Sequence, residues 1–271
     1  MVERLLAVVC LVLVSTAALA ETTLSGALTQ GGIVFGQTEP GTTLVLDDLT
    51  VRVDDDGAFV FGFHRDAPAT ATLVITRPDG AVERRELTVD SREFDVQRID
   101  GLPENMVSPP QEVMDRILKD IAEVKAARSA DRPESDFRSG FVWPATGRIS
   151  GVYGSQRILN GKPRQPHYGI DIAAPTGTPV VAPADGVVTL AATDHYYTGG
   201  TLILDHGHSL SSTFIHLDSV AVAVGQQVRQ GDVIGTIGAT GRATGPHLDW
   251  RMNWRDRRLD PAYVVPPMPT N

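Results

Sequence analysis

The sequence predicts a mainly β protein with three parts: a small β-sandwich domain, a connecting helix, and a second domain of antiparallel β-sheet. Short runs of β-branched and apolar residues recur between Gly, Pro and Asp turns over residues 22–98, and again over residues 140–265. The segment between them changes to the spacing of an amphipathic helix. The chain has 271 residues, which is more than one typical domain, so two β domains are expected.

Residues 1–20 have the features of a signal peptide. An apolar run over residues 5–14 is followed by Ala18-Leu19-Ala20, the small-x-small pattern that signal peptidase cleaves. The run is too short to span a bilayer comfortably, so we expect no stable membrane insertion after cleavage. The sequence thus predicts an exported, periplasmic protein that begins at Glu21. The only cysteine, Cys10, lies in this segment, so no disulfide is expected in the mature chain.

The β-sandwich domain is predicted over residues 21–106. Its clearest strand signals are apolar or alternating runs at residues 42–46, 59–63 and 71–76. Asp- and Gly-containing turns separate these runs, which is the pattern of a small sandwich with short strands. No catalytic constellation is found in this part of the sequence.

A helical connector is predicted over residues 107–138. Apolar residues stand at positions 113, 114, 117, 118, 121 and 124, which follow the i, i+3, i+4, i+7 rule. We expect this helix to pack on one of the two domains rather than to bind a partner.

The second domain is predicted over residues 139–266. Strand signals occur at residues 180–190, where a turn divides two strands, and at residues 201–205, 212–216 and 228–235.

The net charge bears on the choice of partner. The formal charge is −9, and no long basic run is present. Because an acidic surface repels phosphate backbones, we expect no nucleic-acid partner.

Histidines cluster in the second domain, where six of the seven in the chain fall between positions 167 and 247. His167 and Asp171 are four residues apart, and His247 and Asp249 are two apart. Residues two or four apart in a strand point to the same face, so each pair could present both side chains to one cavity. Imidazole and carboxylate are good zinc ligands, and a catalytic zinc needs three protein ligands. The remaining histidines, His195, His206 and His208, are expected to form local hydrogen bonds.

Four motifs of this domain resemble a known family. The run at residues 167–180 is similar to the signature of the lysostaphin-type metallopeptidases, family M23, and so is the run at residues 182–188. Residues 214–217 and 240–249 resemble the third and the last motifs of that family. The motifs occur in the family's order, and the resemblance covers about residues 140–265.

The resemblance implies roles for individual residues. His167 and Asp171 would bind zinc, and His216 and His247 would be catalytic. The family's last motif is His-x-His, but its second histidine is replaced here by Asp249. Asp249 is predicted to be the third ligand, because carboxylate oxygen is an acceptable zinc ligand. The formal charge at the metal would then be zero rather than plus one, which would lower the pKa of bound water less.

The resemblance implies a zinc-dependent endopeptidase that cleaves peptide cross-links of peptidoglycan in the cell envelope, with peptidoglycan stem peptides as its partner. One alternative is a catalytically inactive scaffold that binds peptidoglycan or regulates another cell-wall hydrolase. Another is a binding module whose N-terminal β domain supplies the main function. The sequence identifies no protein regulator.

Overall fold

The computed structural model describes residues 21–269 and confirms the mainly β architecture. The predicted signal peptide at residues 1–20 lies outside the described residues. Within residues 21–269, no helix is both long enough and apolar enough to cross a membrane.

Seven strands form two antiparallel sheets in the N-terminal part. They are β1 (Thr23–Gly26), β2 (Ile33–Gln37), β3 (Thr43–Leu46), β4 (Leu49–Val51), β5 (Ala58–Gly62), β6 (Thr70–Thr76) and β7 (Val82–Thr88). One sheet has the order β1-β2-β5, and the other has the order β4-β3-β6-β7. Two antiparallel sheets of short strands are the components of a β-sandwich.

Aromatic side chains of β5 and the residue after it fill the core of this part. Phe59, Phe61 and Phe63 are almost fully buried. The Phe61 and Phe63 rings meet edge to face, with their centroids 5.7 Å apart. Burying each of these side chains contributes about 1.5–3 kcal/mol. Alternate residues of β6 are buried, because successive side chains of a strand point to opposite faces.

The connector contains the predicted amphipathic helix. β8 (Val96–Ile99) and most of α1 (Glu104–Val107) precede the predicted range of residues 107–138, and α2 (Met114–Arg128) lies within it. Of the apolar residues on α2, Ile117 is buried, whereas Leu118 and Ile121 are more than half exposed. The helix is therefore present as the periodicity predicted, but it buries only part of its apolar face.

Twelve strands follow the connector. They are β9 (Arg148–Gly151), β10 (Gln156–Leu159), β11 (Lys162–Pro163), β12 (Ile170–Ala173), β13 (Pro179–Val181), β14 (Gly186–His195), β15 (Gly199–Asp205), β16 (Leu210–Val220), β17 (Gln227–Val228), β18 (Val233–Ile237), β19 (His247–Trp254) and β20 (Arg257–Leu259). The main sheet runs β17-β14-β15-β16-β19-β12-β9, and β13, β18 and β20 join it at the side. All pairs in this sheet are antiparallel.

One strand links the two halves of the molecule. β8 lies within the range predicted for the N-terminal domain, yet it pairs in parallel with β10, in the order β11-β10-β8. The segment that follows the two N-terminal sheets therefore pairs with a strand of the second half before α1 and α2 begin.

The two faces of β19 differ in chemistry. Leu248, Trp250, Met252 and Trp254 are fully buried on one face and form part of the hydrophobic core. Because side chains alternate along a strand, His247, Asp249, Arg251 and Asn253 share the opposite face. α2 lies over this polar face, where Arg128 donates a hydrogen bond to the Thr213 hydroxyl of β16 at 3.2 Å.

Candidate metal centre

Two neighbouring strands bring the predicted carboxylate ligands together. β12 and β19 are antiparallel, and their register places Asp171 directly opposite Asp249. His247 is two residues before Asp249 and so lies on the same face. The expectation that His167 and Asp171 share one strand is wrong, because β12 begins at Ile170 and His167 lies in the preceding loop. The loop nevertheless brings the imidazole back to the carboxylates.

The three predicted ligands converge in space. His167 Nε2 lies 3.0 Å from Asp171 Oδ1 and 3.2 Å from Asp249 Oδ2. One ligand atom from each of the three residues lies within 4.8 Å of the others, and all three residues are buried. Zinc bonds of about 2.0–2.1 Å in a tetrahedron place ligand atoms roughly 3.3 Å apart. The separations and the donor set, one imidazole and two carboxylates, therefore fit a zinc ion.

The hydrogen bonding of the three candidate ligands also fits a metal site. His167 Nε2 is hydrogen-bonded to Asp249 Oδ2 at 3.2 Å, so Asp171 Oδ1, although 3.0 Å from the same nitrogen, is buried without a well-aligned hydrogen bond, and His167 Nδ1 has no partner. Buried polar atoms nearly always have a partner, so an orphaned carboxylate oxygen in a ligand cluster fits a metal-binding role. Burial disfavours the charged imidazolium, but the facing carboxylates outweigh it and raise the pKa of His167. The same negative charge would attract a cation.

Glycines make room for both carboxylates. A Cβ atom added at Gly151 would meet the Asp171 carboxylate, and one added at Gly169 would meet Asp249 Oδ1. The close approach of the backbone to each carboxylate therefore requires glycine at both positions.

His216 and His247 lie beside the cluster. Their rings are 4.8 Å apart between centroids. His216 Nδ1 donates to the Thr240 carbonyl at 2.8 Å, and His247 Nδ1 donates to the Gly245 carbonyl at 2.8 Å. A carbonyl only accepts, so the proton of each neutral ring is on Nδ1 and Nε2 is a free acceptor. Burial lowers the pKa of His216 to about 4.

The imidazoles open onto a small cavity of about 220 Å³. Its lining includes His216, His247 and Asp171, together with Ile99 at the end of β8 and Leu102 just beyond that strand. The region before the connector helices thus forms part of the wall of the candidate site.

The site also contains two arginines, Arg157 and Arg251, which the sequence analysis did not identify. Arg251 donates to both oxygens of Asp249, with Nε 2.9 Å from Oδ1 and Nη2 2.6 Å from Oδ2. Arg157 Nη2 donates to Asp171 Oδ2 at 3.2 Å. Burial would raise the pKa of Asp249, but Arg251 and His167 hold it well below its usual range. The strand alternation that pairs His247 with Asp249 also includes Arg251, so the sequence carried a signal for it. Nothing local pointed to Arg157.

The other three histidines of this half, His195, His206 and His208, lie outside the cluster, and each forms a hydrogen bond. Their partners are the Glu123 carboxylate at 3.1 Å, the Asp185 carbonyl at 2.7 Å and the Pro133 carbonyl at 3.0 Å, respectively. The partners of His195 and His208 belong to the connector, so these bonds hold the connector to the sheet rather than being local.

Comparison with known proteins identifies the family. The model of peptidase family M23 matches residues 165–261. A crystal structure of a candidate M23 peptidase from Pseudomonas aeruginosa has a TM-score of 0.69 to this chain, with 30% sequence identity. The match covers 87% of this chain and 94% of that one. The chain belongs to peptidase family M23. The likeness extends well beyond residues 165–261, because it includes most of the chain.

Curated relatives of this M23 chain match over shorter stretches. The peptidoglycan DD-endopeptidase ShyA of Vibrio cholerae is 38% identical over 122 residues, which are 45% of this chain and 28% of ShyA. The DD-carboxypeptidase/endopeptidase Mpg of Neisseria meningitidis is 42% identical over 103 residues, which are 38% of this chain and 24% of Mpg. This chain therefore matches about a quarter of the length of these relatives.

Proposed function

We propose that this chain is a zinc-dependent endopeptidase that cleaves peptide cross-links of peptidoglycan in the cell envelope. The observation that carries the proposal is the convergence of His167, Asp171 and Asp249 at ligand-to-ligand distances beside the His216 and His247 imidazoles. Membership of family M23 and the names of the DD-endopeptidase relatives support the reaction class.

The residues of the site would divide the work between metal binding and proton transfer. His167, Asp171 and Asp249 would hold zinc, which supplies a Lewis acid for the scissile carbonyl and lowers the pKa of water. His216 is neutral at pH 7 because burial lowers its pKa to about 4. Its free Nε2, like that of His247, accepts a proton from attacking water or hydrogen-bonds to the reacting group.

Arg157 and Arg251 favour a second candidate function. Both ligand carboxylates are paired with a guanidinium group, Asp171 with Arg157 at 3.2 Å and Asp249 with Arg251 at 2.6 Å. Such pairing neutralises part of the negative charge that attracts zinc. A non-catalytic M23 chain that binds peptidoglycan or regulates another hydrolase would retain this arrangement without needing a metal.

A digest of purified peptidoglycan distinguishes the endopeptidase from the non-catalytic protein. The purified full chain is incubated with sacculi, with and without a chelator, and the products are identified by mass spectrometry. The enzyme proposal predicts cleaved cross-links that disappear on chelation and return with added zinc. Binding to sacculi without any cleavage, at full zinc occupancy, would support the second candidate.

We further propose that the protein acts in the periplasm after removal of residues 1–20. N-terminal sequencing of the protein from the periplasmic fraction should then begin at Glu21. An intact Met1 on envelope-associated protein would contradict this.

A further inference from the structure

A second and larger cavity lies under α2. Its volume is about 850 Å³, and its lining includes Arg251 and Asn253 of β19 together with Thr213 and Ile215 of β16. The smaller cavity contains His247 of the same strand face. Asp249 lies between these positions on β19, so the two cavities are on opposite sides of the candidate metal ligand along one face of the sheet.

Arginines without acidic partners line this cavity. Among the residues that the structure describes, neither Arg128 nor Arg258 has a carboxylate within ion-pair distance. Arg128 donates to the Thr213 hydroxyl at 3.2 Å, and its Nε is buried without a hydrogen-bond partner. Arg258 donates a long hydrogen bond, 3.4 Å, to Asn253 Oδ1, and its guanidinium lies 5.7 Å from the centroid of the Tyr168 ring. Both side chains are half-buried, and a cation that is partly removed from water without an anion is costly, so these groups need an explanation.

The acids in the lining do not supply the missing charge. Asp131 is paired with Arg52 at 2.9 Å, and Asp120 accepts a hydrogen bond from the Tyr196 backbone at 2.7 Å. Asp256 is exposed. The cavity lining therefore combines unpaired guanidinium groups with carboxylates that are engaged elsewhere or face solvent.

Burial and neighbouring arginines lower the pKa values of Arg128 and Arg258, as expected for cations that lie close together. Burial, together with Arg258 and Arg251, lowers the pKa of Arg128 well below its usual range. Burial and Arg251 lower the pKa of Arg258 to about 10. An anion in the cavity would relieve the repulsion among these cations, because opposite charge favours the charged form.

We propose that this cavity is a subsite for a free carboxylate of the peptide substrate, bound by Arg128 and Arg258; this inference rests on the proposed function. Guanidinium groups recognise carboxylates through paired, charge-assisted hydrogen bonds. Ile117, Ile121 and Val124 of α2 provide an apolar wall for the neighbouring part of the peptide.

The position of the cavity limits where that carboxylate lies in the substrate. Arg251 and Asn253 are two and four residues beyond Asp249 on β19, which corresponds to roughly 7–13 Å along a strand. An extended peptide rises by the same distance per residue. The bound carboxylate is therefore two to four residues from the bond to be cleaved.

The test compares an acid with its amide. The probes are diacetyl-L-lysyl-D-alanyl-D-alanyl-D-alanine, whose carboxylate lies two residues beyond its first D-alanyl-D-alanine bond, and the C-terminal amide of the same peptide. Binding is measured by calorimetry with the zinc-loaded full chain carrying His247→Ala to prevent turnover. We expect the acid to bind at least about tenfold more tightly than the amide. Arg128→Met and Arg258→Met should abolish this preference, and Arg84→Met, which changes an exposed arginine on β7, should preserve it.

Stability separates a binding role from a structural one. Without ligand, Arg128→Met should raise the melting temperature, because it removes a half-buried charge that no carboxylate compensates. A lower melting temperature, with the acid preference unchanged, would mean that Arg128 is structural and would overturn the proposal.

Three further outcomes test the ligand and the reaction separately. Inorganic phosphate that binds through Arg128 and Arg258, with equal affinity for acid and amide, would identify a site for free anions and overturn the peptide subsite. Equal affinity for acid and amide, with normal cleavage of peptidoglycan by the wild type, would overturn this inference alone. Acid preference without any cleavage by the wild type would support the subsite and contradict the proposed enzyme.

Discussion

Arg251 binds Asp249 through both carboxylate oxygens, at 2.9 and 2.6 Å, on the face of β19 that carries the candidate metal ligands. The resemblance to family M23 implies a neutral histidine at position 249. An aspartate alone would add a negative charge to the centre, but the Asp249 and Arg251 pair is formally neutral, as histidine is. Arg251 also withdraws electron density from the carboxylate, so the expected loss of Lewis acidity at a bound zinc is partly offset.

Removing Arg251 should destabilise the metal-free protein. Arg251→Met leaves the buried Asp249 carboxylate without its main partner, and we expect the free energy of unfolding in chelator to fall by about 3 kcal/mol. Saturating zinc should reduce this loss, because the ion replaces the missing positive charge. Chemical denaturation with and without zinc measures both quantities.

The matched control for that experiment is the double variant Asp249→His/Arg251→Met. It carries a neutral imidazole and no unpaired charge, so it should be more stable in chelator than Arg251→Met alone. Equal stability of the two variants would show that the pair does not act as a unit.

His216 and His247 should act on the reaction rather than on metal binding. Their Nδ1 atoms are engaged by carbonyls and neither ring belongs to the cluster of three ligands. We expect His216→Ala and His247→Ala each to lower kcat by about 10²–10⁴-fold with zinc content unchanged. His208→Gln, which alters a histidine outside the site, should leave both unchanged. Loss of zinc in either alanine variant would mean that the assigned roles are exchanged.

Stability should fall in acid through His206. Burial lowers the pKa of this ring to about 4, and its Nδ1 donates to the Asp185 carbonyl at 2.7 Å. As pH falls from about 6.5 to 4, the unfolded chain binds a proton at this position and the folded protein does not, so up to about 3 kcal/mol is lost. Above pH 6.5 this group contributes no pH dependence.

Denaturation curves between pH 4 and 7 measure that effect. His206→Gln should reduce the slope of unfolding free energy against pH by about one proton, or about 1.4 kcal/mol per pH unit. An unchanged slope would mean that another group titrates in this range.

Much of the fold was predictable because the pattern is local. The alternation in β6 and the helical spacing in α2 each lie within one element, and both elements are present. The parallel pairing of β8 with β10 was not predictable, because it joins Val96 to Gln156 across the intervening connector. No periodicity in either segment specifies its partner.

The candidate site likewise combines positions that local spacing predicts with positions that depend on tertiary structure. The side-by-side arrangement of His247 and Asp249 follows from strand alternation, and Arg251 follows the same rule. The placement of His167 depends on a loop that turns before Ile170, and Arg157 reaches Asp171 only because β10 folds beside that region. These positions depend on tertiary structure, so spacing alone did not specify them.

The zinc content of the purified full chain, measured beside peptidoglycan cleavage, tests the central claim most directly. The account predicts about one zinc per chain in the wild type, and a sharp loss of zinc and activity in Asp249→Ala, because His167 and Asp171 are too few ligands to hold the ion tightly. Asp249→His/Arg251→Met should retain zinc. Full zinc and full activity in Asp249→Ala would contradict the proposed coordination. If the wild type has neither zinc nor activity while Asp249→His/Arg251→Met has both, the enzyme proposal is contradicted and the non-catalytic alternative is favoured.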